Sequence, residues 1–536
     1  MTARSVHYRG GRIFTAGEPA WAASMVVRGE TIEYVGPVAN APDADQVIEL
    51  DGAFVLPGFV DAHTHLVSMG ESLGQLDLFS ATSPTDLRDR LARAAATDPA
   101  APRILGRSWL FDALGDRAPD RHLIDEAVPD RPVYLTANDL HSVWVNSAGL
   151  RELGIDRDTP DPIDGHIGHD AAGEPDGMLY ENAMQLMQRF LTEQTSDAER
   201  DTALTAAFGR YLADGVTTAV DMALTEPELA ALERALERGA GRLPLRVAGH
   251  WLVERTGNPR DDLRQVQRAA ELSRRLDGPW LRITGIKLMV DGVIDTCTAA
   301  MKEPFADGSH PGPLWPPHEL APVVAAADAA GLQVAMHAIG DEASDLALSA
   351  LEHAIAVNGP RERRHRIEHL ETVTEENVRR LARLGVVASM QPVHADPAIQ
   401  GNWRARLGDN RVRRAFPWPE ITGAGAVLAF GSDAPTAPHA PLPNMYIATT
   451  RRSAADPRLE PNLPHYALPL AEALAHGTRD AAYSCRWEGL TGHLAPGMAA
   501  DFVVLDCDPF TESADALLKA HVRRTFVAGK ERFRHE

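Results

Sequence analysis

Leu56-Pro-Gly-Phe-Val-Asp-Ala-His-Thr-His-Leu66 decides how the rest of the chain is read. It is an apolar run that ends in two histidines one residue apart. On a β-strand, residues i and i+2 point to the same face. At a strand's C-terminal end, both imidazoles can aim at one point, as a divalent cation requires of a chelating pair. A surface or core histidine pair is the competing reading of a bare His-x-His.

Downstream, short apolar runs alternate with helical stretches. The candidate strands are Leu56–His63, Val216–Asp221, Leu245–His250, Ile283–Leu288, Gln333–His337, His365–His369, Val386–Met390 and Val427–Asp433. Segments of helical period, such as Asp197–Leu212, Glu319–Ala330 and Thr374–Leu384, lie between them. Eight strands with intervening helices predict an α/β fold, a (β/α)8 TIM-like barrel over residues 56–483. About 150 residues separate the first two strands, far more than a βα loop needs. That interval, residues 70–212, predicts an insert after the first barrel strand, a subdomain over the barrel mouth. Both chain ends read as strands and hairpins: Ser24 to Gly36, Val47 to Gly52, Ala500 to Asp506, and His521 to Arg532 about Gly529-Lys530. Residues 1–55 and 484–536 therefore predict one small β-sandwich domain built from both termini.

Composition narrows the function. The chain has 536 residues, 44% hydrophobic and 24% charged, which excludes wholesale disorder, collagen and coiled coil. Its 53 basic and 75 acidic residues give a net charge of −22, which disfavours a nucleic-acid partner. Three scattered cysteines, Cys297, Cys485 and Cys507, make no disulfide framework. No apolar run reaches the roughly 18 residues of a membrane helix, and the N-terminus lacks a secretory apolar core. The expectation is a cytoplasmic protein acting on a small molecule, with no membrane or nucleic-acid partner. A homodimer is the base-rate expectation for its assembly. Only four lysines occur, at 287, 302, 519 and 530, against a background of arginine. Lys287, in Ile283-Thr-Gly-Ile-Lys-Leu-Met-Val290, is the one inside a predicted barrel strand.

Val55-Leu-Pro-Gly-Phe-Val-Asp-Ala-His-Thr-His65 resembles the signature of the amidohydrolase superfamily. Other segments sharpen the resemblance to its family 3 branch, which includes N-substituted formamide deformylases. They are His141-Ser-Val-Trp-Val-Asn-Ser147, Lys287 to Asp291, His337-Ala-Ile-Gly-Asp341, Arg366-Ile-Glu-His369, Gly431-Ser-Asp-Ala-Pro435 and Gly492 to Asp506. The resemblance spans essentially the whole chain. It implies metal-dependent hydrolysis on a (β/α)8 barrel, with His63, His65, Lys287, His337, His369 and Asp433 as metal ligands at C-terminal strand ends.

The resemblance further implies one or two divalent ions, with zinc as the default. His63 and His65 would hold the more buried ion, and His337 and His369 the more exposed one. A carbamate formed from CO2 on Lys287 would bridge them. Burial supplies the neutral amine that carbamate formation needs. A partnership with Asp291 or Asp295 is the rival reading of Lys287. A metal-activated hydroxide would attack a C–N bond, and Asp433 would carry the proton to the leaving nitrogen.

His141 is read as a second catalytic candidate, contacting substrate, stabilising an oxyanion, or capping the insert. The family pattern has Asp-Gly-His where this chain has Asp139-Leu140-His141. Glu181, Asp291, Gln391, Trp109 and Trp144 are candidate substrate contacts, with core packing the rival for the last four. His365 is read as structural, on the same face as His369. The leading expectation is hydrolysis of an amide-type bond in an N-substituted formamide or N-acyl compound carrying an apolar substituent. The alternatives keep the centre but cleave a carbamate, ester or C–C bond, or make the chain a non-catalytic regulatory homologue.

Overall fold

The computed structural model describes residues 4–535, apart from 79, 116, 138–141, 163–164 and 182; the side chains at 112 and 181 also lie outside that description. Contacts divide the chain into two units, Met1–Met69 with Leu204–Glu536, and Gly70–Ala203.

The first unit contains a ring of parallel strands: β1 (Phe59–Thr64), β2 (Val216–Leu224), β3 (Arg246–Leu252), β4 (Leu281–Met289), β5 (Gln333–Ala338), β6 (Arg366–His369), β7 (Val387–Met390) and β8 (Leu428–Phe430). Neighbours in the ring follow chain order from β1 to β8. The ring closes where Thr64 bridges Ala434 in parallel. Asp433 N also donates to His63 O at 2.7 Å, and His65 N to Ala434 O at 2.9 Å. This is the α/β barrel that the alternation of apolar runs and helical segments predicts.

The first predicted strand, Leu56–His63, divides in two. Phe54–Pro57 pairs with the terminal β sheet, and β1 begins at Phe59. The handover falls at Gly58, where a Cβ would stand 2.2 Å from Thr217 Oγ1. Only a residue without a side chain lets the chain pass there.

Below the strand ends, the barrel interior carries a buried polar network. Arg366, fully buried, donates Nε to Glu368 Oε1 at 2.6 Å and Nη2 to Glu368 Oε2 at 2.9 Å. Its guanidinium also reaches Ala62 O at 2.6 Å and Ser389 Oγ at 2.6 Å. One level away, His250 Nε2 lies 2.8 Å from Gln333 Oε1. Cys485 and Trp487, just beyond the helix Arg479–Ser484, pack against Val220, Met222, Ala248 and Ala335.

Strands from both chain ends form one mixed sheet, in the order Lys530–Arg534, Val522–Val527, Phe502–Leu505, Phe54–Pro57, Ser5–Phe14, Trp21–Arg28, Thr31–Gly36. Gln46–Glu49 pairs with Ser5–Phe14 off this path. Its apolar face buries Tyr8, Met25, Val55, Phe502 and Phe526 together. A buried ion pair ties the sheet to β3: Arg246 Nε meets Asp501 Oδ2 at 2.7 Å.

The second unit has its own six-stranded sheet, from Gly165–His169 to Leu76–Asp77. Trp109 and Trp144 are fully buried in its core, their rings 5.1 Å apart. The Trp109 indole donates to Leu135 O at 3.0 Å. Among the described residues, no helix is long and apolar enough to cross a membrane.

Candidate metal centre

Strand parity places most of the site. His63, in β1, and His65, one residue past it, share a face, as their spacing predicts. Both reach one carboxylate oxygen: His63 Nε2 stands 3.2 Å and His65 Nε2 3.3 Å from Asp433 Oδ1. Asp433 arrives from the loop after β8, held there by the aspartate of the opening motif. Asp61 Oδ1 accepts from Ser432 N at 2.9 Å, and its Oδ2 from Ser432 Oγ at 2.6 Å. Gly431 lets the loop lie against β1, since a Cβ there would meet His63 N at 2.4 Å.

Parity alone would send His369 the wrong way. In β6, Arg366 and Glu368 point to the barrel interior, so 365, 367 and 369 should face outward. His365 does: its Nε2 lies 3.1 Å from Asp328 Oδ1, on the helix Pro317–Ala329. It is structural, as expected, but it does not share a face with His369. His369 has φ 76°, and that left-handed backbone turns its ring inward. The ring lies 4.9 Å from that of His63 and 4.4 Å from that of His337. Asp433 is held similarly, at φ 60°. Strained backbone of this kind collects where function over-determines geometry.

A buried partner orients each of two imidazoles. His63 Nδ1 donates to Glu368 Oε2 at 2.8 Å, and His369 Nδ1 to Gln391 Oε1 at 2.9 Å. Both partners are acceptors, so both Nε2 atoms of the neutral rings carry bare lone pairs. The His63 lone pair then faces Asp433 Oδ1, one acceptor against another. That approach is unfavourable unless a proton or cation lies between. Donors bound at about 2.0–2.2 Å in a tetrahedral shell are about 3.3–3.6 Å apart, close to the separations seen here. The donor set therefore fits a divalent cation, and His63, His369 and Asp433 all lie within reach of one ion.

Lys287 lies in β4, two residues before its end, and is 1% exposed. Among the described residues its ammonium has no hydrogen bond or ion pair. Burial lowers its pKa to about 8, against the pull of Glu368 and Asp433. Burial also lowers His337 to about 3. His337 Nε2 donates to Gly292 O at 3.1 Å, which leaves Nδ1 as the nitrogen with a free lone pair. Burial opposes the charged form of Asp433, yet positive charge on the side of His63 and His65, a proton or a cation, holds its carboxyl well below the usual range.

Other predicted residues take different places. Asp291 accepts from Ile339 N at 3.0 Å, Gly340 N at 2.8 Å and Ala300 N at 3.0 Å, so it fixes the loops around His337. Gln391 orients His369. Trp109 and Trp144 belong to the core of the second unit. His141 and the side chain of Glu181 lie outside the described residues.

Sequence reading missed three side chains. Glu368 stands inside the quoted Arg-Ile-Glu-His motif, and its charge two residues after an arginine, on the same face of a short strand, was the available signal. Glu371 and His394 follow β6 and β7. His394 Nδ1 lies 3.0 Å from Glu371 Oε1, and its Nε2 lies 3.7 Å from Asp433 Oδ2.

Residues 46–533 match the amidohydrolase family. The chain is 32% identical to YtcJ of Bacillus subtilis, over 98% of each chain. It is 28% identical to the N-substituted formamide deformylase of Arthrobacter pascens, over 96% of this chain and 95% of that one. Among solved structures, it resembles an uncharacterized metal-dependent hydrolase from Pyrococcus horikoshii. The TM-score is 0.78 at 26% identity, over 95% of this chain and 99% of that one.

Proposed function

The chain belongs to the amidohydrolase family, and from that premise we propose that it is a metal-dependent hydrolase acting on a C–N bond of an amide-type substrate. The observation that carries the reading is the convergence of His63, His65, His369 and Asp433 on one point, with lone pairs facing a carboxylate. Zinc is the cation of first choice for a nitrogen-rich donor set. A bound divalent cation would bring the pKa of water to about 7 and polarise a substrate carbonyl.

The chain's own residues supply the rest. His63 and His65 would hold one ion and His337 and His369 the other. Lys287 would lie between them, and its pKa, lowered to about 8 by burial, enlarges the fraction present as the neutral amine. That amine would attack CO2, forming an N–C bond and releasing a proton, and the resulting carboxylate would serve as a further metal ligand. Asp433 Oδ1 faces His63 and His65, and Oδ2, 3.7 Å from His394 Nε2, would accept a proton and pass it to the leaving nitrogen.

The substrate is an N-substituted formamide or other N-acyl compound whose substituent is apolar. Supporting this, Met289 shares the inward parity of Lys287 and stands in register with His337. Met289 is 37% exposed, and Val293, in the loop beyond, 36%. An exposed methionine at a strand tip offers an adaptable apolar surface. The completeness of the ligand set argues against a non-catalytic homologue. The test is an activity screen of N-formyl and N-acyl amines against matched esters and carbamates. Turnover of the amides at a higher kcat/KM supports the reading; turnover of the esters or carbamates alone sinks it.

A further inference from the structure

Within the proposed metal centre, His394 has no role among the residues that the sequence or the family resemblance brings forward. It belongs to the 3-10 turn Pro392–Ala395 that follows β7. Gln391 caps the start of that turn, its carbonyl accepting from His394 N at 3.1 Å, and both side chains lie against His369. Gln391 takes the His369 Nδ1 proton, while the His394 ring lies parallel to that of His369, 5.8 Å away with 5° between the planes. The turn is fixed in place, since Val393 N donates to the buried Asn444 Oδ1 at 2.8 Å.

Three imidazoles here share one arrangement. His63 is anchored through Nδ1 by Glu368, His369 by Gln391, and His394 by Glu371, itself 5% exposed. An anchored Nδ1 with Nε2 turned towards the site is how proteins prepare a histidine to bind metal. Among the described residues, His394 Nε2 has no hydrogen-bond partner. Ligand atoms of His369, Glu371 and His394 all lie within 4.8 Å of one another, a second cluster of cation-binding dimensions beside the first.

We propose that His394 is a further metal ligand, serving the half of the centre that contains His369, with Glu371 as the carboxylate that orients it. The proposal rests on the metal-dependent reading above.

The test uses full-length protein loaded with zinc or cobalt(II). Metal content is measured through a chelator titration, and the cobalt visible spectrum is recorded. The variants are His394→Ala and Glu371→Gln, with circular dichroism to confirm folding. His394→Ala is expected to weaken retention of one ion by about tenfold or more and to change the cobalt spectrum. Glu371→Gln, which keeps the imidazole, is expected to lower affinity by about 10–100-fold, and it decides the matter if His394→Ala does not fold. Wild-type midpoints and spectra in the folded variants would overturn the proposal and leave the hydrolase reading standing. A wild-type protein that takes up no metal would overturn both.

Discussion

His63 and Glu368 meet at 2.8 Å, both essentially without solvent exposure, and Arg366 closes on the same carboxylate from the other side. Arg366 and His63 hold Glu368 well below the usual carboxylate range, although burial opposes its charge. Glu368→Gln leaves the Arg366 guanidinium buried without its carboxylate. Breaking a buried pair costs about 3–5 kcal/mol, and losing the orienting group costs about 10–100-fold in metal affinity. Denaturant unfolding and chelator competition should register both losses. Unchanged metal affinity would show that His63 does not need this partner.

Lys287→Ala should remove metal from half of the centre or abolish activity, and added short carboxylates should restore part of it. Lys287→Arg should not substitute, because a guanidinium stays charged and cannot take up CO2. Elemental analysis of gently purified protein should find about one to two ions per chain, and fewer in either variant. Full metal content in Lys287→Arg would rule out the carbamate.

Met289→Ala should raise KM for amides with a bulky apolar substituent by about tenfold, since each methylene of this exposed side chain that the substituent would cover contributes about 0.8 kcal/mol. Small N-formyl substrates should be nearly unaffected. Equal effects on both groups would place the substituent elsewhere.

His250 gives a pH prediction away from the cation ligands. Burial, and then the Arg366 guanidinium, lower its pKa to about 3. In the unfolded chain the ring takes a proton near pH 6.5, while in the folded chain it does not do so until about 3. Between those values the unfolded state binds more protons, so stability falls as pH falls, by up to about 1.4 kcal/mol per unit. His250→Gln should flatten the dependence between pH 6 and 5, as read from urea midpoints. Parallel wild-type and variant slopes would mean that folded His250 titrates normally.

The barrel and most of the candidate ligands were legible because their signals are local. A histidine or lysine at the end of an apolar run keeps its neighbours, and strand parity does the rest. His369 shows the limit, because its inward aim depends on a left-handed backbone that no apolar pattern encodes. Glu371 and His394 are 23 residues apart and meet only because β6 and β7 are neighbours. Trp109 and Trp144 show the opposite problem. Aromatic residues in a long insert suggest a substrate pocket, but a unit with its own sheet needs large side chains to fill its own core.

The placing of Phe54–Pro57 between Ser5–Phe14 and Phe502–Leu505 sets an order of events during synthesis. The ribosome releases the segment that leads into the first two histidines hundreds of residues before its pairing partner. Until the partner emerges, that segment offers an open edge to any other strand nearby. The entry to β1 is therefore secured only once translation is nearly complete. A stalled or truncated product would lack that strand and expose a surface prone to aggregate.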